Sequence, residues 1–427
     1  MNIESIHSLF LKCSSVSIDT RKIESNSFFV AIKGDRFDAN TFANEALEKG
    51  ASYVIIDNAN YYIDERTIVV EDSLKTLQEL AKFHRNHLKL PIIALTGSNG
   101  KTTTKELINA VLSKKYITKA TVGNLNNHIG VPLTLLSFNS LTQIGIVEMG
   151  ANHQKEIEFL CEIAQPDYGY ITNFGKAHLE GFGGVEGVIK GKSEMYTYLS
   201  RNHKTVFVNL DDAIQVEKTS GMKVYTFGVA NTSSNVNIID VKANPFVEVS
   251  FLDTKVHTNL IGLYNSNNIS AAVTIGKYFD VCDEDIKQAL EDYVPENNRS
   301  QLLHRNFNEI ILDAYNANPS SMAVAISNFI QLEKGNKIVI LGDMFELGED
   351  SIKEHKIVIE SLINFKDIQC FFIGKDFYQT KIEREHFHFY ETFDSFSNDF
   401  KQHQFQNTTI LIKGSRGMAL ERSLELI

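Results

Sequence analysis

The sequence predicts an α/β protein of three domains in series, and three observations carry that reading. The chain has 427 residues, which at roughly 100–200 residues per domain leaves room for two to four. Short, continuous apolar runs alternate with stretches of helical spacing, the pattern of parallel sheets covered on both faces. That pattern is interrupted by an alternating stretch between about Gly221 and Leu260, and then by the polar Pro295-Glu-Asn-Asn298. The boundaries expected from this are 1–88, 89–297 and 298–427.

In the first unit, Ser27-Phe-Phe-Val-Ala-Ile32 and Tyr53-Val-Ile-Ile56 read as strands around a helical segment from Thr41 to Lys49. Ser73 to Leu88 reads as a helix, with Leu74, Leu77, Leu80 and Ala81 at three- and four-residue steps. His84 and His87 lie on it with no acidic or cysteine partner nearby, so a structural role is expected. Pro91 opens the second unit. Pro91-Ile-Ile-Ala-Leu-Thr96 is a buried strand, followed by a glycine-rich turn and a helix with Leu107, Ile108, Val111 and Leu112 on one face. Further strands follow at Gly145–Glu148, Tyr168–Asn173 and Thr205–Asn209. All end in polar residues (Thr96, Glu148, Asn173, Asn209), and open parallel sheets bind ligands at the carboxyl ends of their strands. From about Gly221 to Leu260 the pattern alternates, as in Phe246-Val-Glu-Val-Ser-Phe251, which predicts antiparallel strands added to that sheet, and Asn265 to Phe279 reads as a helix. Beyond the break, Glu309–Asp313, Lys337–Gly342, Cys370–Gly374 and Thr409–Lys413 repeat the strand–helix alternation, giving a Rossmann-like third domain.

Composition narrows the function classes. A net charge of −11 disfavours nucleic acid or an anionic membrane as the main partner. No apolar run approaches the ~20 residues needed to span a bilayer, and Met1-Asn-Ile-Glu-Ser5 has no basic leader region. No membrane anchor is expected. Cys13, Cys161, Cys282 and Cys370 lie far apart, with no metal or disulfide spacing. A reduced, cytoplasmic protein, acting as a monomer, is expected.

The strongest local signal is Leu95-Thr-Gly-Ser-Asn-Gly-Lys-Thr-Thr-Thr104, between a strand and a helix. Glycines let successive N–H groups and the helix N-terminus face phosphate oxygens, with Lys101 on the phosphates and the Thr102 hydroxyl on magnesium. Glu148, at the end of the next long strand, is placed to hold that ion, since magnesium takes few protein ligands. His178 follows a strand in a glycine-rich segment. Taken alone, spacing leaves both it and Lys192 open to an ordinary structural reading.

Thr96-Gly-Ser-Asn-Gly-Lys-Thr102, Val147-Glu-Met-Gly150, the His178 segment, Lys192-Ser-Glu194 and Asn297-Asn-Arg299 together resemble the Mur ligases, ATP-dependent amide-forming enzymes. The resemblance covers essentially the whole chain. Gly123-Asn-Leu-Asn-Asn-His-Ile-Gly-Val-Pro-Leu-Thr134, Asp313-Ala-Tyr-Asn-Ala-Asn-Pro319, Leu341-Gly-Asp-Met-Phe-Glu-Leu-Gly348 and Lys413-Gly-Ser-Arg416 are most similar to the branch that joins D-alanyl-D-alanine to UDP-N-acetylmuramoyl-tripeptide. The resemblance implies ATP bound by Gly97, Ser98, Asn99, Gly100, Lys101, Thr102 and Thr103, with Asn268 on adenine, Arg299 on phosphates and Asp313 on ribose. It implies two magnesium ions, one on Thr102 and Glu148 and a second held with His178. Lys192 matches a lysine that several members carry as a carbamate, an anion able to ligate or orient magnesium where an ammonium repels it. Lys101, Glu148, His178, Lys192 and Arg299 would form the catalytic group.

For the substrates, the resemblance implies a uridine-nucleotide module in the first unit through Asp19 and Arg21. It puts Asn124, Asn126, Asn127 and Thr134 along the muramoyl-peptide channel, and Asn316 and Asn318 at the incoming dipeptide. Three positions depart from the family pattern: Tyr264 and Asn40 stand where His is frequent, and Asn298 where Gly commonly precedes Arg299. The rival readings are another amide ligase of the family and a nucleotide-switched binding protein. The His178/Lys192 pair counts against the latter. Because Arg299 and Asp313 lie at or beyond the second boundary yet should touch ATP, the third unit is expected to close over the second.

Overall fold

Three sheets of mainly parallel strands succeed one another along the chain. The structure, a computed structural model, describes residues 1–296, 298–332, 335–403 and 405–427. The expected boundary at residue 297, and Asn297 of the Arg299 motif, lie outside the described residues.

The first sheet is fully parallel, in the order Ser15–Ser17, Ser27–Val30, Ala51–Ile56, Thr67–Val69. The helix Ser73–Leu88 buries Leu77, Leu80 and Ala81, as its spacing predicts. His84 is structural: its Nδ1 lies 3.0 Å from His7 Nε2, and its Nε2 donates to Phe138 O of the next unit at 2.9 Å. Asn40 is fully buried, donating to Asp38 and Asp57 at 2.7 Å each. It therefore braces a turn instead of facing a ligand.

In the middle sheet, Ile92–Thr96 lies between Tyr168–Ile171 and Ile144–Glu148, with Thr118–Ala120 outside the latter. Thr205–Asn209, Val224–Val229 and Val236–Ala243 extend it on the other side, still parallel. The antiparallel addition expected over 221–260 holds only for its second half, Phe246–Phe251 and Thr254–Ile261; Val224–Val229 and Val236–Ala243, in its first half, join parallel instead. The helices Lys101–Leu112 and Asn265–Tyr278 pack against one another and cover one face with Leu107, Ile108, Val111, Val273 and Ile275.

The third sheet runs Gln301–Arg305, Asn308–Asp313, Thr408–Lys413, Asn336–Gly342, Ile368–Ile373, Phe387–Tyr390, parallel except for its first strand. The aromatic stretch after Arg384 supplies the last strand and the helix Phe393–Phe400, whose Phe396 and Phe400 pack on Phe371. Within it His386, Phe387, Phe396 and Phe400 are buried. Among the described residues, no helix is long and apolar enough to cross a membrane.

Candidate active site

Parallel pairing brings the working groups together. Leu95 pairs with Glu148 and Thr96 with Ile171, so three adjacent strands release their chains at one edge. The turn after Thr96 is braced from the neighbouring strand end. Ser98 N donates to Asn173 O at 3.1 Å and Asn99 N to Asn173 Oδ1 at 3.1 Å, while the Thr172 hydroxyl donates to Asn99 O at 2.6 Å. Gly97 has φ +145°, and a Cβ there would lie 1.9 Å from Thr172 Oγ1. Gly100, at φ +78°, starts the helix Lys101–Leu112 with no side-chain cap, leaving the first N–H groups open for an anion.

A cavity of about 780 Å³ lies over this edge. Ser98, Asn99, Gly100, Lys101, Thr102 and Thr103 line it, with Glu148, His178, Asn268 and Arg299. Asn124, Asn126 and Asn127 enter from one side, and Asp313, Asn316 and Asn318 from the third unit. Lys101 Nζ donates to Gly97 O at 2.7 Å. Burial pulls its pKa below the ordinary lysine value; Glu148 opposes that shift and Arg299 adds to it. Glu148 is only 1% exposed. Its Oε1 accepts from Asn126 Nδ2 at 2.8 Å and from the Thr102 hydroxyl at 3.3 Å, but its Oε2 is buried with no hydrogen-bond partner. A half-satisfied buried carboxylate beside a hydroxyl is a donor set that suits magnesium, which needs few protein ligands.

Lys192 is 1% exposed and does not line the cavity, its ammonium 5.2 Å from the Phe182 ring centroid. It makes no ion pair among the described residues. Burial, then Lys101, hold its pKa far below the usual lysine range, against Glu156 and Glu194. His178 Nδ1 bonds Glu346 of the third unit. Burial lowers the His178 pKa and Glu346 acts against that.

On the third unit, Asp313 and Lys413 end paired strands and form a 2.6 Å ion pair, with Lys413 only 2% exposed. The Arg299 guanidinium stacks 3.5 Å from the Tyr315 ring centroid. Asn298 takes φ +58°, which explains why a glycine could stand there. The two units are joined by Asn318 Nδ2 to Asn99 Oδ1 at 2.7 Å, Lys176 N to Ser320 Oγ at 2.8 Å, Lys176 Nζ to Glu354 at 2.7 Å, and Tyr264 OH to Ser300 Oγ at 2.6 Å. The third unit thus contacts the second across the cavity.

Some expected residues stand elsewhere. Thr134 is 3% exposed, its hydroxyl donating to Gly130 O at 3.0 Å inside the helix Gly130–Leu136, so it is turned away from the cavity. Asp19 and Arg21 pair with one another at 2.8 Å on the first unit's surface, outside the cavity; the Arg21 hydrogen bonds hold the Asp19 pKa down to about 2. Asn126 doubles as a support for Glu148, and Asn127 caps the turn to Gly130 N at 2.9 Å. Of the four polar strand ends, Glu148 and Asn173 line the cavity, whereas Thr96 and Asn209 do not. Sequence reasoning gave no role to Tyr315, Ser320 and Lys413, which line it; all three lie within or beside quoted motifs, which was the available signal.

Comparison with known proteins agrees with this geometry. Three family models match in order: "Mur ligase family, catalytic domain" over residues 12–85, "Mur ligase middle domain" over 95–276 and "Mur ligase, glutamate ligase domain" over 298–416. The chain is 33% identical to the UDP-N-acetylmuramoyl-tripeptide–D-alanyl-D-alanine ligase of Bacillus subtilis, across 95% of this chain and 91% of that protein. It is also 33% identical to the Escherichia coli protein of the same name, across 95% and 92%. Among solved structures it resembles MurF from Acinetobacter baumannii (29% identity, 99% and 98% covered, TM-score 0.86). It also resembles a MurF ligase from Thermotoga maritima in complex with ADP (26% identity, 98% and 97% covered, TM-score 0.84). On identity, coverage and shared architecture, the chain belongs to the Mur ligase family.

Proposed function

We propose that this protein is the ATP-dependent ligase that joins D-alanyl-D-alanine to UDP-N-acetylmuramoyl-tripeptide, releasing ADP and phosphate. The observation that carries it is one cavity in which the phosphate loop, Glu148 and the Asp313–Asn318 segment converge from two units. The full-length similarity to ligases of that name supports it.

A carboxylate is a poor electrophile, so it must be activated before an amine can take it. The tripeptide's terminal carboxylate oxygen attacks the γ-phosphorus, the bond to the ADP oxygen breaks, and an acyl phosphate forms. The dipeptide amine then attacks that carbonyl, gives up a proton and expels phosphate. Lys101 and Arg299 offset the charge of two anionic reactants and of the transferring oxygens. Gly97–Thr103 hold the phosphates through backbone N–H groups, Asn268 reaches adenine and Asp313 the ribose. Held in register, the reactants gain up to roughly 7–11 kcal/mol over free encounter. The closed third unit keeps water from the acyl phosphate.

Thr102 and Glu148 would hold one magnesium, and His178 with a carbamylated Lys192 a second; when bound, these ions supply charge neutralisation at the phosphates. The orphaned Glu148 oxygen supports the first, and the buried Lys192, without an ion pair among the described residues, supports the modification. Asp19 and Arg21 meet the uridine nucleotide, Asn124, Asn126 and Asn127 line the muramoyl-peptide path, and Asn316 and Asn318 receive the dipeptide. Each unit, with boundaries at 88/89 and 297/298, then has one partner to grip, and one monomer holds the whole cavity. ATP and UDP-linked sugars are intracellular, which assigns the reaction to the cytoplasm as a step in peptidoglycan precursor synthesis, and so to cell-wall biogenesis, cell shape and division. Phosphate release with each substrate omitted in turn tests the reading: release should require all three. Release without the dipeptide at an undiminished rate, or full activity with free diamino acids instead, would contradict it.

A further inference from the structure

We propose that Glu346 is a positioning residue that fixes the ring tautomer of His178, so that the histidine is set for work only when the third unit is closed. This rests on the ligase reading for its kinetics, but not for its spectroscopy.

The two residues come from opposite walls. His178 follows the strand Tyr168–Ile171 of the middle sheet and lines the cavity. Glu346 lies in the loop after the strand Asn336–Gly342 of the third sheet. Both have left-handed backbones, φ +52° at His178 and +62° at Glu346. A non-glycine residue held there is strained and persists only where its surroundings over-determine it. Here they do. Met344 and Leu347 are buried on either side of Glu346. Met344 N donates to His355 Nε2 at 3.0 Å, and Phe345 N to Ser415 Oγ at 2.9 Å. Gly348 brings the loop close enough that a Cβ would stand 3.3 Å from Glu180, two residues beyond His178. The loop is therefore a rigid mount that presents one carboxylate across the cleft.

The consequence for His178 follows from donor chemistry. A carboxylate oxygen accepts from a ring N–H, so Nδ1 carries the proton in its bond to Glu346. In a neutral ring the lone pair is then on Nε2, which has no hydrogen bond to the described protein. The nitrogen that a ring offers is set by the bond its other nitrogen makes. Opening the cleft removes Glu346 and with it that constraint.

The test uses the full chain labelled with ¹⁵N-histidine, with ADP and magnesium, read by long-range ¹H–¹⁵N correlation near neutral pH. His178 is assigned by the signals lost in His178→Gln. We expect the Nδ1–H tautomer in the parent and a shift toward Nε2–H in Glu346→Ala. Glu346→Gln, whose amide oxygen still accepts from Nδ1, should keep the parent tautomer. In turnover, Glu346→Ala should lower kcat roughly 10–100-fold, the usual size of such supporting contacts, with the KM for the muramoyl substrate little changed. Glu346→Gln should recover most of that loss. An Nε2–H tautomer in the parent, an unchanged tautomer in Glu346→Ala, or equal damage from Ala and Gln would overturn the proposal. A parent protein that turns over no muramoyl substrate would instead fail the ligase reading, leaving the tautomer result to be judged alone.

Discussion

Replacing Gly97 with alanine puts the phosphate-loop geometry under direct stress. At φ +145° a side chain is strained before it meets anything, a cost of about 1–3 kcal/mol. The new Cβ would also lie 1.9 Å from Thr172 Oγ1 and 3.0 Å from Thr172 N, so Thr172 must move. Its hydroxyl holds Asn99 O at 2.6 Å, and losing a bond to a largely buried acceptor costs about 1–3 kcal/mol more. The sum is about 2–6 kcal/mol, all of it lodged in the loop. At roughly 2–4 °C per kcal/mol for a domain of this size, the melting temperature should fall by at least about 4 °C. ADP affinity should drop about tenfold or more, since each 1.4 kcal/mol of misplacement is worth a factor of ten. Thermal melts and ADP titration on the purified variant read both quantities. A Gly97→Ala protein that melts within about 1 °C of the parent and binds ADP equally well would refute the loop geometry.

Other perturbations separate roles that the structure combines. Asn318→Ala removes both the Asn99 contact and the cap on Ser321 N, whereas Asn318→Ser can keep the cap; both should weaken dipeptide use, but only alanine should also lose about 1 kcal/mol of stability in denaturant melts. Burial and its histidine neighbours hold His7 down at about 4, against 6.5 in the unfolded chain. The unfolded chain therefore binds more protons between those values, and stability should fall as pH drops from about 6.5 to 4, by up to about 3 kcal/mol. His7→Phe should flatten that slope in melts across the interval; an equally steep slope would reject the assignment. Lys192→Ala should abolish turnover and regain part of it with added short carboxylic acids, and unchanged activity in the mutant would remove the carbamate. Glu148→Gln should lose the extra thermal stability that magnesium adds to the ADP complex, while keeping the apo fold.

The central strands of the middle and third sheets were legible because burial on two faces writes a continuous apolar run, as in Ile92–Thr96 and Asn336–Gly342. Short edge strands such as Ser15–Ser17, Thr118–Ala120 and Phe387–Tyr390 were not, since a three- or four-residue segment paired on one side carries little pattern. The phosphate loop was legible because its glycines answer to backbone angles. Thr134 misled because a motif fixes which residue is present, not which way its hydroxyl turns, and inside a helix a threonine can satisfy itself on the preceding turn. The contacts across the cleft, Asn99 with Asn318 and His178 with Glu346, join residues more than 160 positions apart. No local signal encodes them; they follow from how two sheets face one another.

The central claim is that the γ-phosphoryl group passes to the peptide carboxylate before the amide forms. Muramoyl tripeptide carrying ¹⁸O in both oxygens of its terminal carboxylate, turned over with ATP and D-alanyl-D-alanine, tests it directly through the mass of the released phosphate. One ¹⁸O should appear in each inorganic phosphate, alongside ADP. Unlabelled phosphate, or AMP with pyrophosphate, would contradict the account.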